Sequence, residues 1–349
     1  MFKNRDQELQ EILSKFDIGQ WIYKQDVNIV SSCPVIDRKC LRNTKMQKHL
    51  YACKTSGSTG EPVTVEKTEQ DWLWYMATNI REFLWRKWDF TKNVAVIRGD
   101  VKVHDQQSWG LPDFLAPVQG KRYLMNFAPI REIQKWLEEK NPHYIQCYPS
   151  IVKQLDLSKI TNLIDVKGTG ECGASMFSSE ECGTIAIQCP DNKKNYHVME
   201  NQIVEVDSDK NMIISTMTNP YIRRYKNGDC IELGECTCGR TLQTITKIYG
   251  RVRNMFVLPN GDKKWPLIGS RDYYDKFGIK KFKAVQKSLY DIELQIVCDH
   301  LGDRENELKK LVLDWLNSPV NVTITYVESF SNYKHEEFVS LVNNNATET

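Results

Sequence analysis

Charge of one sign is what this chain lacks most plainly: 47 Lys and Arg against 45 Asp and Glu leave a net +2 over 349 residues. With no long like-charge block either, there is no electrostatic footprint for a polyanion or an anionic membrane surface, so no nucleic-acid partner is expected. Long apolar runs are missing too. No stretch approaches the ~18 uninterrupted apolar residues of a membrane-spanning helix, and the opening MFKNRDQELQEIL has no signal-like apolar core. The expectation is therefore a cytoplasmic protein with no membrane insertion, in which the sequons at Asn321 and Asn345 carry no meaning. Internal repeats and low-complexity segments are also absent, which sets repeat arrays aside. Cysteine is not scarce, but its eleven copies are irregularly spaced. In a chain this long that is no secreted disulfide framework; clustered cysteines point to metal and isolated ones to the core.

One further absence is local. The segment TSGSTGEPVTV, Thr55 to Val65, gathers Thr55, Ser56, Gly57, Ser58, Thr59 and Gly60 into a turn ahead of a helical pattern. Small hydroxyl residues and glycines let backbone N–H groups close on an anion, and glycine adopts the positive φ such a nest requires. No lysine lies inside the turn, so it is not the G-x-x-x-x-G-K-[ST] loop of NTPases. Composition alone is equally that of a plain loop.

The length suggests about two domains. From about Asp6 to Phe16 the chain reads as a short amphipathic helix. From about Thr68 to Trp88, Trp72, Tyr75, Met76, Ile80, Phe83, Leu84 and Trp88 recur at three and four, predicting a long helix with its aromatics in the core. VAVIRG, YIQCY and LIDVKG read as strands, with helices over about Pro129 to Lys140 and Pro149 to Leu157. This alternation predicts a largely parallel α/β sheet with ligands near the carboxyl ends of its strands. After about Gly250 the texture changes. KFKAVQKSL and DIELQIV are expected to pair as strands, ENELKKLVLDWL to be a helix and NVTITYVE another strand, a compact α+β unit of about 100 residues.

Four further segments carry chemistry. Gly170 and Glu171 follow a predicted strand, where small residues leave room for a flat ligand. FSSEECG, Phe177 to Gly183, sets an aromatic, Ser178, Ser179 and two acids before the strand TIAIQC; an acid there could hold Mg²⁺ on nucleotide phosphates, or be a solvated turn. RRYKNGD ends on Asn227-Gly228-Asp229, either a tight turn or a carboxylate for two ribose hydroxyls. IYGRVRNM puts Arg251 and Arg253 at the expected domain junction.

In this order and spacing the segments resemble the adenylate-forming enzymes, specifically their phenylacetate-CoA ligase-like branch, over roughly Tyr51 to the C-terminus. The resemblance implies an α/β fold with a large N-terminal adenylation domain, residues 1–249, of mixed β-sheets and flanking helices, and a small mobile α+β lid, residues 250–349. It implies ATP-dependent conversion of a small-molecule carboxylate to an acyl-adenylate, then transfer to a thiol acceptor, with CoA foremost. By position, Thr55 to Gly60 would hold phosphate, Gly170 and Glu171 would border the nucleotide, Phe177 would stack on adenine, Glu181 would bind Mg²⁺, Asp229 the ribose and Arg251 the ribose or phosphate side. Arg253 would be the hinge, and SFSNYKHEEF would carry the catalytic lysine as Lys334. Phe177 stands for the usual tyrosine, Tyr333 for the glycine expected before the lysine, and the segment between Gly170 and Phe177 is shorter than in the family.

Cys236-Thr237-Cys238-Gly239 offers two thiolates, with Cys189 and His197 upstream and Cys230 in reserve. The CxCGRT pattern recurs in the same branch, which implies a closed structural Zn²⁺ site within an insertion around 189–238. Two other readings stay open: acyl transfer to an acyl carrier protein or to an internal cysteine, Cys182 or Cys298, and a non-catalytic nucleotide binder. Monomer and homodimer are both compatible with the sequence.

Overall fold

A computed structural model describes residues 5–15, 30–42, 50–54, 64–99, 101–115, 119–169, 174–251, 256–264, 276–279, 281–328 and 337–340. The chain divides into two compact units, Met1–Asn227 with Glu232–Lys247, and Gly228–Ile231 with Ile248–Thr349.

The layers of the first unit follow from a strand's period of two. A hairpin, β1 (Tyr51–Lys54) with β2 (Thr64–Lys67), precedes a five-stranded sheet of β3 (Val94–Ile97), β4 (His104–Gln106), β5 (Arg122–Met125), β6 (Tyr144–Cys147) and β7 (Asp165–Gly168), in the order β4-β5-β3-β6-β7. All its pairings are parallel except β4 with β5. On β3, Val94 and Val96 join one apolar cluster with Leu9 and Ile12 of helix α1 (Arg5–Ser14). Ala95 and Ile97 join another on the opposite face. Strand β3 is apolar throughout because both faces are covered, as a central parallel strand requires.

A short helix α2 (Arg38–Arg42) comes before the hairpin, and helix α3 (Glu69–Trp85) directly after it. Thr68 caps α3 in a capping box, its hydroxyl taking the Asp71 amide while the Asp71 carboxylate takes the Thr68 amide. On the first face of the sheet α3 supplies Leu73, Ala77, Ile80 and Phe83, and on the second lies α4 (Ile130–Lys140), with Ile133 and Leu137 buried. Trp88 stacks on Tyr144 at 4.4 Å and on Phe83 at 5.1 Å.

The buried face of α3 differs from the expected stripe. Tyr75 is 46% and Leu84 53% exposed, whereas Arg81 and Glu82 are buried. Apolar periodicity could not find this face because charged residues paired elsewhere in the chain occupy part of it. Arg81 grips Glu200 with two nitrogens, at 2.5 and 2.6 Å. Glu82 meets the buried Lys167 of β7 at 2.8 Å and accepts from Ser175 at 2.5 Å. The helix expected over Pro149 to Leu157 is also shorter: α5 (Pro149–Val152) is a single turn, followed by a 3₁₀ turn at Leu157–Lys159.

The second sheet has seven strands: β8 (Met176–Ser179), β9 (Gly183–Gln188), β10 (Tyr196–Val198), β11 (Gln202–Val206), β12 (Asn211–Thr216), β13 (Tyr225–Gly234) and β14 (Thr244–Arg251), ordered β11-β12-β13-β14-β10-β9-β8. Its described pairings are antiparallel, so the parallel expectation holds for the five-stranded sheet only. Asn227-Gly228-Asp229 lies within β13 and not in a hairpin turn; Gly228 supplies a φ of +84° inside the strand.

In the second unit, β15 (Phe256–Val257) pairs with β16 (Lys263–Lys264), and β17 (Lys281–Gln286), β18 (Asp291–Val297), β19 (Asn321–Tyr326) and β20 (Glu337–Ser340) form a sheet ordered β19-β18-β17-β20. The expected β17–β18 hairpin is present and antiparallel. Helix α6 (Arg304–Leu316) sets Leu308, Val312 and Leu316, spaced by four, on the alternating Ile292, Leu294 and Ile296. Among the described residues no helix is long and apolar enough to cross a membrane.

Because Lys167 and Glu82 are both buried, Lys167→Ala strands a carboxylate that, among the described residues, retains only Arg86, at 3.3 Å, as a cationic partner. The expected loss is about 3 kcal/mol, read as a lower urea midpoint. Glu82→Leu combined with Lys167→Met is expected to recover most of it, because both charges leave together.

Candidate active site and metal cluster

Register in the β1–β2 hairpin is set by Tyr51↔Lys67, Ala52↔Glu66, Cys53↔Val65 and Lys54↔Thr64. The pair Lys54↔Thr64 brackets the segment that contains Thr55, Ser56, Gly57, Ser58, Thr59 and Gly60. Those six residues, with Gly170, Glu171, Arg253 and Lys334, lie outside the described residues.

The hairpin meets the turn between β8 and β9. Lys67, only 4% exposed, donates from Nζ to the main-chain oxygen of Glu181 at 2.6 Å. Cys53 bonds the Glu180 side chain, and burial together with that carboxylate pushes its thiol above the usual range. Within the turn, the Ser179 hydroxyl accepts from the Cys182 amide at 3.1 Å. Gly183 closes the turn at φ +72° with open space around it, so the conformation and not crowding asks for glycine. Register shifts between Phe177 and Ser178, leaving Phe177 half-buried and Ser178 exposed.

Glu181 is 4% exposed, and its Oε1 accepts from the Tyr225 hydroxyl at 3.3 Å. Among the described residues no lysine or arginine forms an ion pair with it. A buried carboxylate held by one long phenolic bond is under-compensated, and a divalent cation is a partner of fitting charge and hardness. Lys67 and Cys182 also line a polar cavity of about 20 Å³, together with Asp71, Tyr75, Thr184 and Asn201; Glu181 is not on its lining. That is room for one water, and Asn201 Oδ1 has no partner among the described residues. Tyr51, also on the lining, is pushed up to about 12 by burial and then by Cys53 and Asp71. Cys182 is buried, so an acyl group would need the turn to open before reaching it. Asp229 is buried within β13, and Arg251 ends β14.

Cys189, His197, Cys236 and Cys238 come together, their ligand atoms all within 4.8 Å of one another. Cys238 Sγ is 3.2 Å from His197 Nε2, and Cys236 Sγ 3.8 Å from Cys189 Sγ. The other ring nitrogen, Nδ1, faces Thr244 Oγ1 at 3.3 Å, an orienting contact of the kind metal-binding histidines make. Backbone amides turn towards the sulfurs: Asn192 N–H reaches Cys189 at 3.3 Å, and Gly239, at φ +80°, lets the Arg240 amide double back on Cys238. Burial pushes Cys189 up to about 11. Burial acts upward on Cys238, but hydrogen bonds from the Arg240 amide and side chain, with those of Cys236 and Cys189, together outweigh it and bring the thiol to about 7. His197 is pushed down by burial and by Arg240, which favours the neutral, ligating imidazole. Two thiols from a C-x-C turn, a third thiol and a neutral imidazole form a donor set suited to tetrahedral Zn²⁺. Thr244 and Lys67 were missed from sequence. A lysine at an inward position of β2 was the one available signal for Lys67, and none marked Thr244.

With this geometry in hand, comparison with solved structures defines the class: the chain has the adenylate-forming ligase fold. A 2-hydroxyisobutyryl-CoA ligase, in its postadenylation state with 2-HIB-AMP, aligns over 97% of this chain and 89% of its own at TM-score 0.69 and 14% identity. O-succinylbenzoate coenzyme A synthetase from Bacillus subtilis, in complex with AMP, aligns over 83% and 67% at TM-score 0.55 and 10% identity. An amide bond synthetase from Marinactinospora thermotolerans aligns over 86% and 69% at TM-score 0.52 and 12% identity. No family model matches the sequence, and no curated protein does. At these identities the likeness is one of fold.

Glu181→Gln removes a buried charge while keeping its shape. In EDTA-treated, nucleotide-free protein it is expected to add about 1 kcal/mol of stability, seen as a higher melting temperature. A lower one would mean that the carboxylate is already compensated.

Proposed function

We propose that the protein is an ATP-dependent acid–thiol ligase that forms an acyl-adenylate and passes the acyl group to a thiol, with coenzyme A as acceptor. The observation that carries this reading is the under-compensated buried Glu181, held against the hairpin that brackets the Thr55 to Gly60 segment, within an adenylate-forming fold. Both CoA ligases named above support the choice of acceptor.

In the first step a carboxylate oxygen attacks the α-phosphorus of ATP, a new P–O bond forms, and the bond to pyrophosphate breaks. In the second the thiol sulfur attacks the acyl carbonyl, AMP leaves on its own oxygen, and the thiol proton passes to solvent. Backbone amides of Thr55 to Gly60 would hold the departing phosphates, and Phe177 would stack on the adenine. Gly170 and Glu171 would border the nucleotide. Asp229 would accept from the ribose hydroxyls, Arg251 would reach the ribose or phosphate side, and Lys334 would meet charge developing at the α-phosphate. Mg²⁺ held through Glu181 would supply charge neutralisation at the leaving pyrophosphate. With the hinge at Arg253, rotation of residues 250–349 would withdraw Lys334 before the thiol step. A Zn²⁺ ion on Cys189, His197, Cys236 and Cys238 would be structural, since four protein ligands leave no open position.

ATP–pyrophosphate exchange across a panel of carboxylic acids is expected to reveal at least one cognate acid. With that acid, Lys334→Ala is expected to lose exchange by about a hundredfold or more. Full exchange in that variant would remove the role from Lys334, and a mass increase on the protein itself, reversed by hydroxylamine, would redirect the second step to an internal cysteine.

Purified protein is expected to carry one zinc per chain by elemental analysis. Cys238→Ser is expected to lose the ion and to melt several degrees lower. Zinc-free wild-type protein with an unchanged melting curve would leave the cluster as ordinary thiols.

A further inference from the structure

Strand β5 opens on a guanidinium that lacks a counter-charge. Arg122 stands opposite Gln106 in the β4–β5 ladder and shares its face with Leu124, on the side of the sheet that α3 covers. It is half-buried, and burial first, then the charge of the exposed Arg98, pushes it below the usual arginine range. Arg81, Arg86, Arg224 and Arg240 each meet a carboxylate, whereas among the described residues neither Arg122 nor Arg98 does. An unpaired guanidinium in a partly desolvated place, next to a second one, is costly, so stability alone would favour a neutral side chain there.

The side chain is nevertheless held in one orientation. Its Nε donates to Gln106 Oε1 at 2.6 Å, the Gln106 amide donates to His104 Nε2 at 3.0 Å, and His104 Nδ1 donates to the Lys102 oxygen at 2.7 Å. Each donor in this relay has its acceptor, which fixes the Gln106 amide and the His104 tautomer together. Gly110 closes in on the guanidinium with φ +77°, where a Cβ would lie 3.3 Å from Arg122 Nη2. The neighbouring Trp109 anchors that stretch, its Nε1 donating to the Lys92 oxygen at 2.8 Å within the aromatic core. The relay uses Nε alone. Both terminal nitrogens, the fork that grips a carboxylate or phosphate, are left without an acceptor among the described residues.

We propose that Arg122, oriented by Gln106 and supported by Arg98, receives a second anionic group, a carboxylate or phosphate, on the acid that the protein activates, an assignment that rests on the ligase reading above. Tyr75 links this place to the Glu181 turn. Its phenol is the acidic group that acts on Arg122, and it lines the polar cavity with Cys182 and with Lys67, which holds the Glu181 main chain. A site for a free inorganic anion would need no such link, so the continuity favours the acid. The sign of the effect on stability separates this role from architecture. Removing a structural arginine lowers the melting temperature, whereas removing an uncompensated one leaves it unchanged or raises it, and binding is what suffers.

The test uses wild type, Arg122→Gln and Arg98→Gln with a series of α,ω-dicarboxylates and ω-phosphonocarboxylates, each set against the monocarboxylate of equal chain length. Thermal stabilisation of nucleotide-free protein at fixed ionic strength reads binding. At least one doubly charged acid is expected to bind wild type about tenfold or more tightly than its monocarboxylate, and Arg122→Gln to lose that margin, with a melting temperature no lower than wild type before ligand is added. Equal binding of both members of every pair, or a margin that survives in Arg122→Gln, overturns the proposal. So does stabilisation through Arg122 by inorganic phosphate alone, or by CoA but not dephospho-CoA, since either would assign the arginines to another ligand. Should Arg122→Gln not fold, Arg98→Gln is read by the same criteria. ATP–pyrophosphate exchange with the same acids keeps the two readings apart. Exchange on monocarboxylates as good as on their charged counterparts, and unmoved in Arg122→Gln, sinks the anion assignment alone. Binding of doubly charged acids that depends on Arg122, with no exchange on any acid, sinks the ligase reading and leaves the anion site standing.

Discussion

Two adjacent charges near the C-terminal end of helix α3, Arg81 and Glu82, hold the first unit together. Neighbouring helical residues point about 100° apart, so the two side chains leave the helix in different directions. Arg81 goes to Glu200, in the turn after β10 of the antiparallel sheet, and Glu82 to Lys167 in β7 of the parallel one. The helix is thereby fastened to both sheets by charge pairs and not only by apolar contact. Burial pushes the Glu200 carboxyl upward even with Arg81 beside it. A pair of this kind adds little over an apolar substitute, but its disruption leaves a stranded charge, so the geometry is strictly specified.

The site depends on that fastening. Thr68, which caps α3, immediately follows Lys67, and its hydroxyl donates to the Thr218 oxygen at 3.1 Å. Asp71 in the first turn takes the Thr218 hydroxyl, and Asn219 reaches the Glu66 oxygen at 3.1 Å. Two turns further on, Thr78 and Thr184 join helix to β9 at 3.1 Å. The hairpin, the helix N-terminus and the Glu181 turn thus form one hydrogen-bonded block that holds Lys67 against the Glu181 main chain.

At its other end α3 reaches the cysteine cluster. Trp85 stands edge-on to His197 at 5.8 Å and receives the Arg240 guanidinium at 5.0 Å. An ion bound there would close a loop from residue 189 to 238 and order the surface on which the helix terminus rests, a structural task remote from any acyl transfer.

The strands and helices with clear periodicity were legible from sequence, as β3, β6, α4 and the β17–β18 hairpin show, because local side-chain spacing reports which face is covered. The four metal-ligand candidates were legible as residue types, and the Glu181 segment by resemblance. The buried face of α3 was not, since Arg81 and Glu82 read as solvent-facing until Glu200 and Lys167 are brought to them. Lys67 likewise reads as a surface lysine until the chain places Glu181 above it. What the sequence determined by itself is therefore what depends on neighbours a few residues away: element type, strand alternation, and which residues are chemically able to bind. Only the tertiary structure decided which charges are paired, which carboxylate is left short of a partner, and which lysine holds it, because those depend on desolvation and on contacts more than a hundred residues apart.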